Sequence, residues 1–178
     1  SQSIFIDRHD YERILDLVNY YRFKRQPLRF SHYNRLPKEQ KADYEKSFMI
    51  NQNPMLDILA YCIMPNHVHF LLRPKIDNSI SDFMRNLQNG YSKYFNTKRE
   101  RTGSLFQFMF KAVLIETDEQ LVHVSRYIHL NPVTSYILEV ENLKHYKWSS
   151  FKDYVFDVNS FVSKEMILSR FTSAQKYK

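Results

Sequence analysis

Glycine is nearly absent from this sequence, with two residues in 178, Gly90 and Gly103. A P-loop or a dinucleotide fingerprint needs several positions at which backbone closes on a phosphate, so glycine-cradled nucleotide sites are excluded. Cysteine is scarcer still, Cys62 standing alone. One thiol rules out an intramolecular disulfide and a cysteine-based zinc cluster, and it fits a reducing compartment. No apolar run reaches the roughly 18 residues a membrane helix needs, and the first residues lack the basic and apolar regions of a signal peptide. A soluble, cytoplasmic protein with no membrane partner is expected.

What the chain has in quantity is aromatic: 14 Phe and 13 Tyr within a 43% hydrophobic composition. That argues for a packed interior and against disorder. The length is that of one ordinary domain, so a single unit over residues 1–178 is expected. Lys and Arg number 26 against 19 Asp and Glu, for a net charge of +7 and a pI near 9.4, an excess compatible with a polyanionic partner.

Along the chain, Tyr11, Ile14, Leu15, Val18 and Tyr21 recur at helical spacing, which predicts a helix over 10–23 with Asp10 as its N-cap. From 24 to 54 the pattern dissolves into Pro27, Pro37, Pro54 and many charges, read as a surface insertion with a short helix over 38–48. LDILAYCIM (56–64) and HVHFLLR (67–73) are β-prone runs separated by Pro65-Asn66, an antiparallel hairpin. A helix is predicted over 78–96, a third strand over 111–115 (KAVLI), and a further helix over 118–130, capped by Asp118 and ended by Pro132. A helical tail follows from about 143 and holds Trp148, the one tryptophan. The class is α+β, with helices packed on an antiparallel sheet.

The chemistry concentrates on the hairpin. His67 and His69 are two apart on a strand, so both side chains leave the same face with Cα atoms roughly 6.5 to 7 Å apart, and their imidazoles can converge on one cation. Val68, Phe70 and Leu72 then point the other way, into the core. By itself the pair reads equally as two half-exposed strand histidines. A metal needs a further donor, and the helix over 118–130 offers several. Tyr127 and Asn131 are four apart and share a helix face. His123 lies on that face too, as a rival third ligand, a proton shuttle, or a solvated or phosphate-contacting side chain, whereas His129 faces elsewhere. A phenol with a reference pKa near 10 is a poor nucleophile unless a base or cation helps remove its proton. Most of the 13 tyrosines are packing; the position beside Asn131 is what singles out Tyr127.

In five segments the sequence resembles the single-tyrosine transposases of the HUH class, especially those associated with repetitive extragenic palindromes. YCIMPNHVHFLLRP (61–74) looks like the family's HUH strand with its preceding turn, and GSLFQFMFKAVLI (103–115) like its Gly-x-Leu-Phe-Gln segment. VSRYIHLNPV (124–133) looks like the catalytic helix, YKWSS (146–150) like the C-terminal signature, and IFIDRHDYERIL (4–15) like the start of the first helix. The family's β-strand before that last segment has no counterpart in these residues. The resemblance implies a ferredoxin-like α+β sandwich with a central HUH hairpin. It implies that His67, His69 and Asn131 bind Mg²⁺ or Mn²⁺, and that Tyr127 attacks a single-stranded DNA phosphate to give a 5′-phosphotyrosine link and a free 3′-OH. The implied substrate is hairpin-forming, palindromic single-stranded DNA; the implied place is the nucleoid; the implied state is monomer or homodimer.

Arg85, Lys93, Lys98, Arg99 and Arg101 line a DNA path or form a solvated charged face. Within 24–54, Arg25, Arg29, His32, Tyr33 and Arg35 make a DNA-contacting accessory or a plain loop. Trp148 stacks on a base or packs in the core. Two other functions compete: a catalytically silent DNA-hairpin binder, and a metal-dependent phosphohydrolase that uses water and has no need of Tyr127.

Overall fold

The computed structural model describes residues 2–24, 26–50, 53–106, 109–156, 158, 160–171 and 177. Arg25, and Gln107 and Phe108 of the 103–115 segment, lie outside them. The chain divides into two compact units, one of Glu12–Leu56 and Pro74–Met109, the other of Ser1–Tyr11, Asp57–Arg73 and Phe110–Lys178.

The first of these units is helical. Helix α1 (Arg8–Tyr21) enters it, and α2 (Phe30–Tyr33), α3 (Lys38–Tyr44), a π-helical turn (Glu45–Ile50) and α4 (Ser79–Lys98) complete it. The N-cap of α1 is Asp7 rather than Asp10. Asp7 Oδ1 accepts from the Asp10 amide at 3.2 Å while Asp10 Oδ2 accepts from the Asp7 amide at 3.3 Å, a reciprocal capping box that starts the helix two residues before the expected boundary. Part of the 24–54 segment is buried: Phe30, Tyr33 and Tyr44 surround Tyr20, whose hydroxyl donates to the Leu28 carbonyl. Helix α4 buries Phe83, Leu87, Tyr91 and Phe95, one residue per turn along a single stripe. A Cβ at Gly90 would stand 3.1 Å from Leu17 Cδ2 and 3.2 Å from Tyr21 Cε2, so glycine there lets α1 and α4 approach closely.

The other unit is built on the hairpin β1 (Leu56–Met64) and β2 (His67–Pro74), a two-stranded antiparallel sheet. Every residue of β1 is buried, and both its edges are paired. Beyond β2, it receives the tail: the Ile63 amide donates to the Trp148 carbonyl at 2.8 Å, the Ser150 amide to the Tyr61 carbonyl at 3.0 Å, and the Ser163 amide to the Ile58 carbonyl at 2.9 Å. The Tyr154 hydroxyl adds a bond to the Leu59 carbonyl. Burial on β2 does not alternate as expected. Leu71, in register with the histidines, is its buried residue, while Val68, Phe70 and Leu72 are half-buried. Alternation needs one covered and one wet face, and β2 is an outer strand whose two faces are both partly covered.

The third predicted strand is not formed. Residues 111–115 run as coil with Val113 85% and Leu114 79% exposed, since a β-prone run becomes a strand only when a neighbour takes up its backbone bonds. Helix α5 (Asp118–Thr134) begins on Thr117, not Asp118: Thr117 Oγ1 accepts from the Gln120 amide at 3.2 Å. It also runs through Pro132 instead of ending there, because a proline close to the C-terminus forfeits one bond without breaking the remaining turn. A Schellman motif closes the helix, with Ile137 N–H on the Pro132 carbonyl and Tyr136 N–H on that of Val133, both at 2.9 Å. A 3₁₀ turn (Val140–His145), α6 (Phe151–Phe156) and α7 (Glu165–Leu168) follow. Among the described residues, no helix is long and apolar enough to cross a membrane.

Candidate functional site

His67 opens β2 directly after the tight turn, so its ring stands at the end of the sheet. Its Nδ1 lies 2.6 Å from Asn66 Oδ1, which fixes the ring's orientation from the turn side. Strand alternation puts His69 on the same face, and the two Nε2 atoms converge to 2.9 Å with the rings nearly perpendicular. At that distance one nitrogen donates and the other accepts, so the pair cannot hold two protons on those atoms. The separation is also about the edge of an octahedron with bonds of ~2.1 Å.

Helix α5 supplies the opposing wall. The Tyr127 ring meets His69 edge-on at 6.1 Å and remains 51% exposed, open to a large substrate. One turn later Asn131 is 5% exposed; its Nδ2 donates to the Tyr127 carbonyl at 2.9 Å. That bond leaves the amide oxygen for His69, with which the Asn131 side chain is hydrogen-bonded. Burial, then the neighbouring His67, pushes the His69 pKa down to about 4, and the Asn131 contact pulls it partly back. Burial lowers that of His67 as well. Both rings are therefore neutral at pH 7 and carry lone pairs. Among the described residues no group of three or more His, Cys, Asp or Glu gathers.

Of the residues expected at the site, His67, His69, Tyr127 and Asn131 come together. His123 is exposed one turn before Tyr127 and is not in that group. The five basic residues belong to the other compact unit, each with its own surroundings. Arg85 pairs with Asp82 at 2.6 Å, Lys98 Nζ donates to the Tyr94 hydroxyl at 3.1 Å, and the Arg99 guanidinium lies over the Phe95 ring. Arg101 ties down the turn after α4 through Asn96 Oδ1 and the Ser104 carbonyl, while Lys93 is exposed. Trp148 is half-buried and stacks on Tyr11 at 4.6 Å. Sequence reasoning missed a buried polar group around His129, Ser150, Tyr177 and Ser125. The signal was present in the four-residue spacing of Ser125 and His129 on the apolar side of α5.

A convergent histidine pair on a strand, facing a tyrosine and an amide one turn apart on a helix, defines a candidate metal-and-tyrosine centre. Residues 29–131, which include all four side chains, match the family described as "Transposase IS200 like". The chain belongs to the IS200-like transposase family. It is also 30% identical over 105 residues to a Haemophilus influenzae protein named as a REP-associated tyrosine transposase, a match covering 53% of this chain and 58% of that protein. No solved structure matches the chain.

Proposed function

We propose that this protein cuts and rejoins single-stranded DNA, with Tyr127 as nucleophile and His67, His69 and Asn131 as the ligands of a divalent ion, Mg²⁺ or Mn²⁺. The observation that carries this reading is the 2.9 Å convergence of the two neutral Nε2 atoms beside Asn131 and Tyr127. Two imidazoles and an amide oxygen suit such an ion, with water and phosphate oxygens completing its shell. Bound there, the ion would polarise the scissile phosphate and offset charge that builds in the transition state.

The protein's own groups do the rest. The Tyr127 hydroxyl loses its proton and attacks phosphorus; the bond to the 3′ oxygen breaks, and that oxygen leaves as a 3′-OH after taking up a proton. The link that remains is a 5′-phosphotyrosine. A 3′-OH attacking it reverses the chemistry and joins strands without ATP, because the phosphodiester energy is kept in the ester. The exposure of Tyr127 suits a polymer that must enter and leave. Hairpin-forming palindromic DNA is the substrate we infer, supported by the name of the Haemophilus relative. The order helix, two strands, helix, β-prone 111–115 segment and α5 supports a ferredoxin-like plan.

The test is a labelled single-stranded pool with a palindromic stem, incubated with Mn²⁺ and run on a denaturing gel. A covalent adduct is expected, lost in Tyr127→Phe and with EDTA. His67→Ala should abolish cleavage while sparing DNA affinity. Binding without any adduct would identify a silent hairpin binder; cleavage that survives Tyr127→Phe would identify a hydrolase that uses water.

A further inference from the structure

Helix α5 is held from behind. At about 100° per residue, Ser125 and His129 lie roughly 200° around the helix from Tyr127, on its buried side. His129 Nδ1 is 2.7 Å from the Tyr177 hydroxyl, and its Nε2 is 2.7 Å from Ser150 Oγ. The ring sits among Phe151, Tyr154 and Tyr177.

One arrangement of protons satisfies every member. Ser125 Oγ donates to the Val122 carbonyl at 2.8 Å, so it accepts from the Tyr177 hydroxyl at 3.1 Å. With its proton spent there, Tyr177 accepts from His129 Nδ1–H. His129 Nε2 is then bare and accepts from Ser150, whose 2.7 Å contact to it is shorter than the 3.2 Å to the Tyr61 carbonyl. Ser150 in turn accepts from the Tyr61 amide at 2.9 Å. The relay runs from β1, through the tail and α5, to Tyr177, with no unmatched donor or acceptor.

The site face of α5 has little to hold it: Tyr127 is half exposed, and Asn131 is the side chain that ties the helix to His69. Pro132, directly after Asn131, lacks the amide hydrogen that would bond the Ile128 carbonyl, so the helix forfeits one bond there. Leu121 and Ile128 are buried on α5 too, but apolar packing is non-directional; the relay adds bonds of fixed direction to it.

We infer that His129, with Ser150 and Tyr177, is a positioning group that sets the rotation of α5 and hence the aim of Tyr127 and Asn131 at the histidine pair. The inference rests on the reading of those residues as nucleophile and ligand. None of the three touches DNA or metal; each acts through the helix. Tyr177 is the informative member, because Tyr177→Phe removes one hydroxyl and keeps the ring stacked on Tyr154 at 4.6 Å.

The test compares wild type, Tyr177→Phe, His67→Ala and Tyr127→Phe in two readouts. The first is Mn²⁺ affinity, followed by the free-Mn²⁺ electron paramagnetic resonance signal in the absence of DNA. The second is the single-turnover rate of adduct formation at saturating hairpin DNA. Tyr177→Phe should weaken Mn²⁺ binding about tenfold, as loss of an outer ligand-orienting bond does. It should slow adduct formation roughly 10- to 100-fold, with DNA affinity in EDTA unchanged. Wild-type values in both readouts for a folded Tyr177→Phe, with only a lower Tm, would make the relay purely structural and overturn the inference. Mn²⁺ binding unchanged in His67→Ala, or an adduct surviving in Tyr127→Phe, would instead overturn the underlying reading. If Tyr177→Phe does not fold, Ser125→Ala, which removes the last hydroxyl and leaves all rings in place, is read in the same way.

Discussion

Cys62 is fully buried in the middle of β1, its Sγ 3.7 Å from Met64 Sδ. Burial pushes its thiol pKa up to about 12, against a smaller lowering from Ser149. The thiolate, not the thiol, reacts, so a disulfide reagent at pH 8 should find no reactive group in the native protein and one in denaturant. Because this is the single cysteine, one stoichiometric jump on unfolding reports the core directly, and reaction at the native rate of a free thiol would disprove the burial. The histidine pair was legible as residues because a spacing of two on a strand fixes the face. The environment of the residues facing the pair was not, since three residues on α5 shared the helical register; in the fold Asn131 is buried and His123 exposed.

At the scale of elements, Tyr136 occupies the left-handed position of the Schellman motif that closes α5, with φ of 56° and 96% exposure. A side chain there is strained and has no packing in return, whereas asparagine tolerates the conformation. Tyr136→Asn should raise unfolding stability by about 0.5 to 1 kcal/mol in urea titrations; a loss would mean that the ring contributes something its exposure hides. Gly90 is the opposite case. Gly90→Val places branched carbon where Leu17 and Tyr21 already stand near 3.1 and 3.2 Å, and should cost roughly 1 to 3 kcal/mol, visible as a lower midpoint at unchanged slope. Helix α4 could be read from its hydrophobic period, and the hairpin from two β-prone runs divided by Pro65-Asn66. Helix starts were each misplaced onto Asp10 and Asp118, because an acidic residue in the first turn looks like a cap until the accepted amide is known. The KAVLI run had the composition of a strand, but composition does not supply the neighbour on which a strand depends.

For the molecule as a whole, the net charge of +7 bears on how the proposed substrate is held. Each phosphate contacted on a single strand should contribute about −0.7 to the slope of log affinity against log salt. Titrations of a hairpin oligonucleotide from low to high NaCl should give a clearly negative slope, and removing Lys93, an exposed cation of α4, should make it shallower by about one such step. A flat salt response would exclude backbone charge as the source of affinity. The division into two compact units was not visible in the sequence, because each unit is assembled from segments far apart in the chain.

The strapping of β1 by the tail sets a schedule for biosynthesis. Tyr61 is paired with Ser150, Leu59 with Tyr154 and Ile58 with Ser163, so a strand made early waits for residues made some 90 to 105 positions later. At ribosomal speeds that interval is on the order of 5 to 20 s. Throughout it, the most apolar strand of the protein has one open edge outside the ribosome, where another nascent chain or a chaperone can reach it before its own tail does.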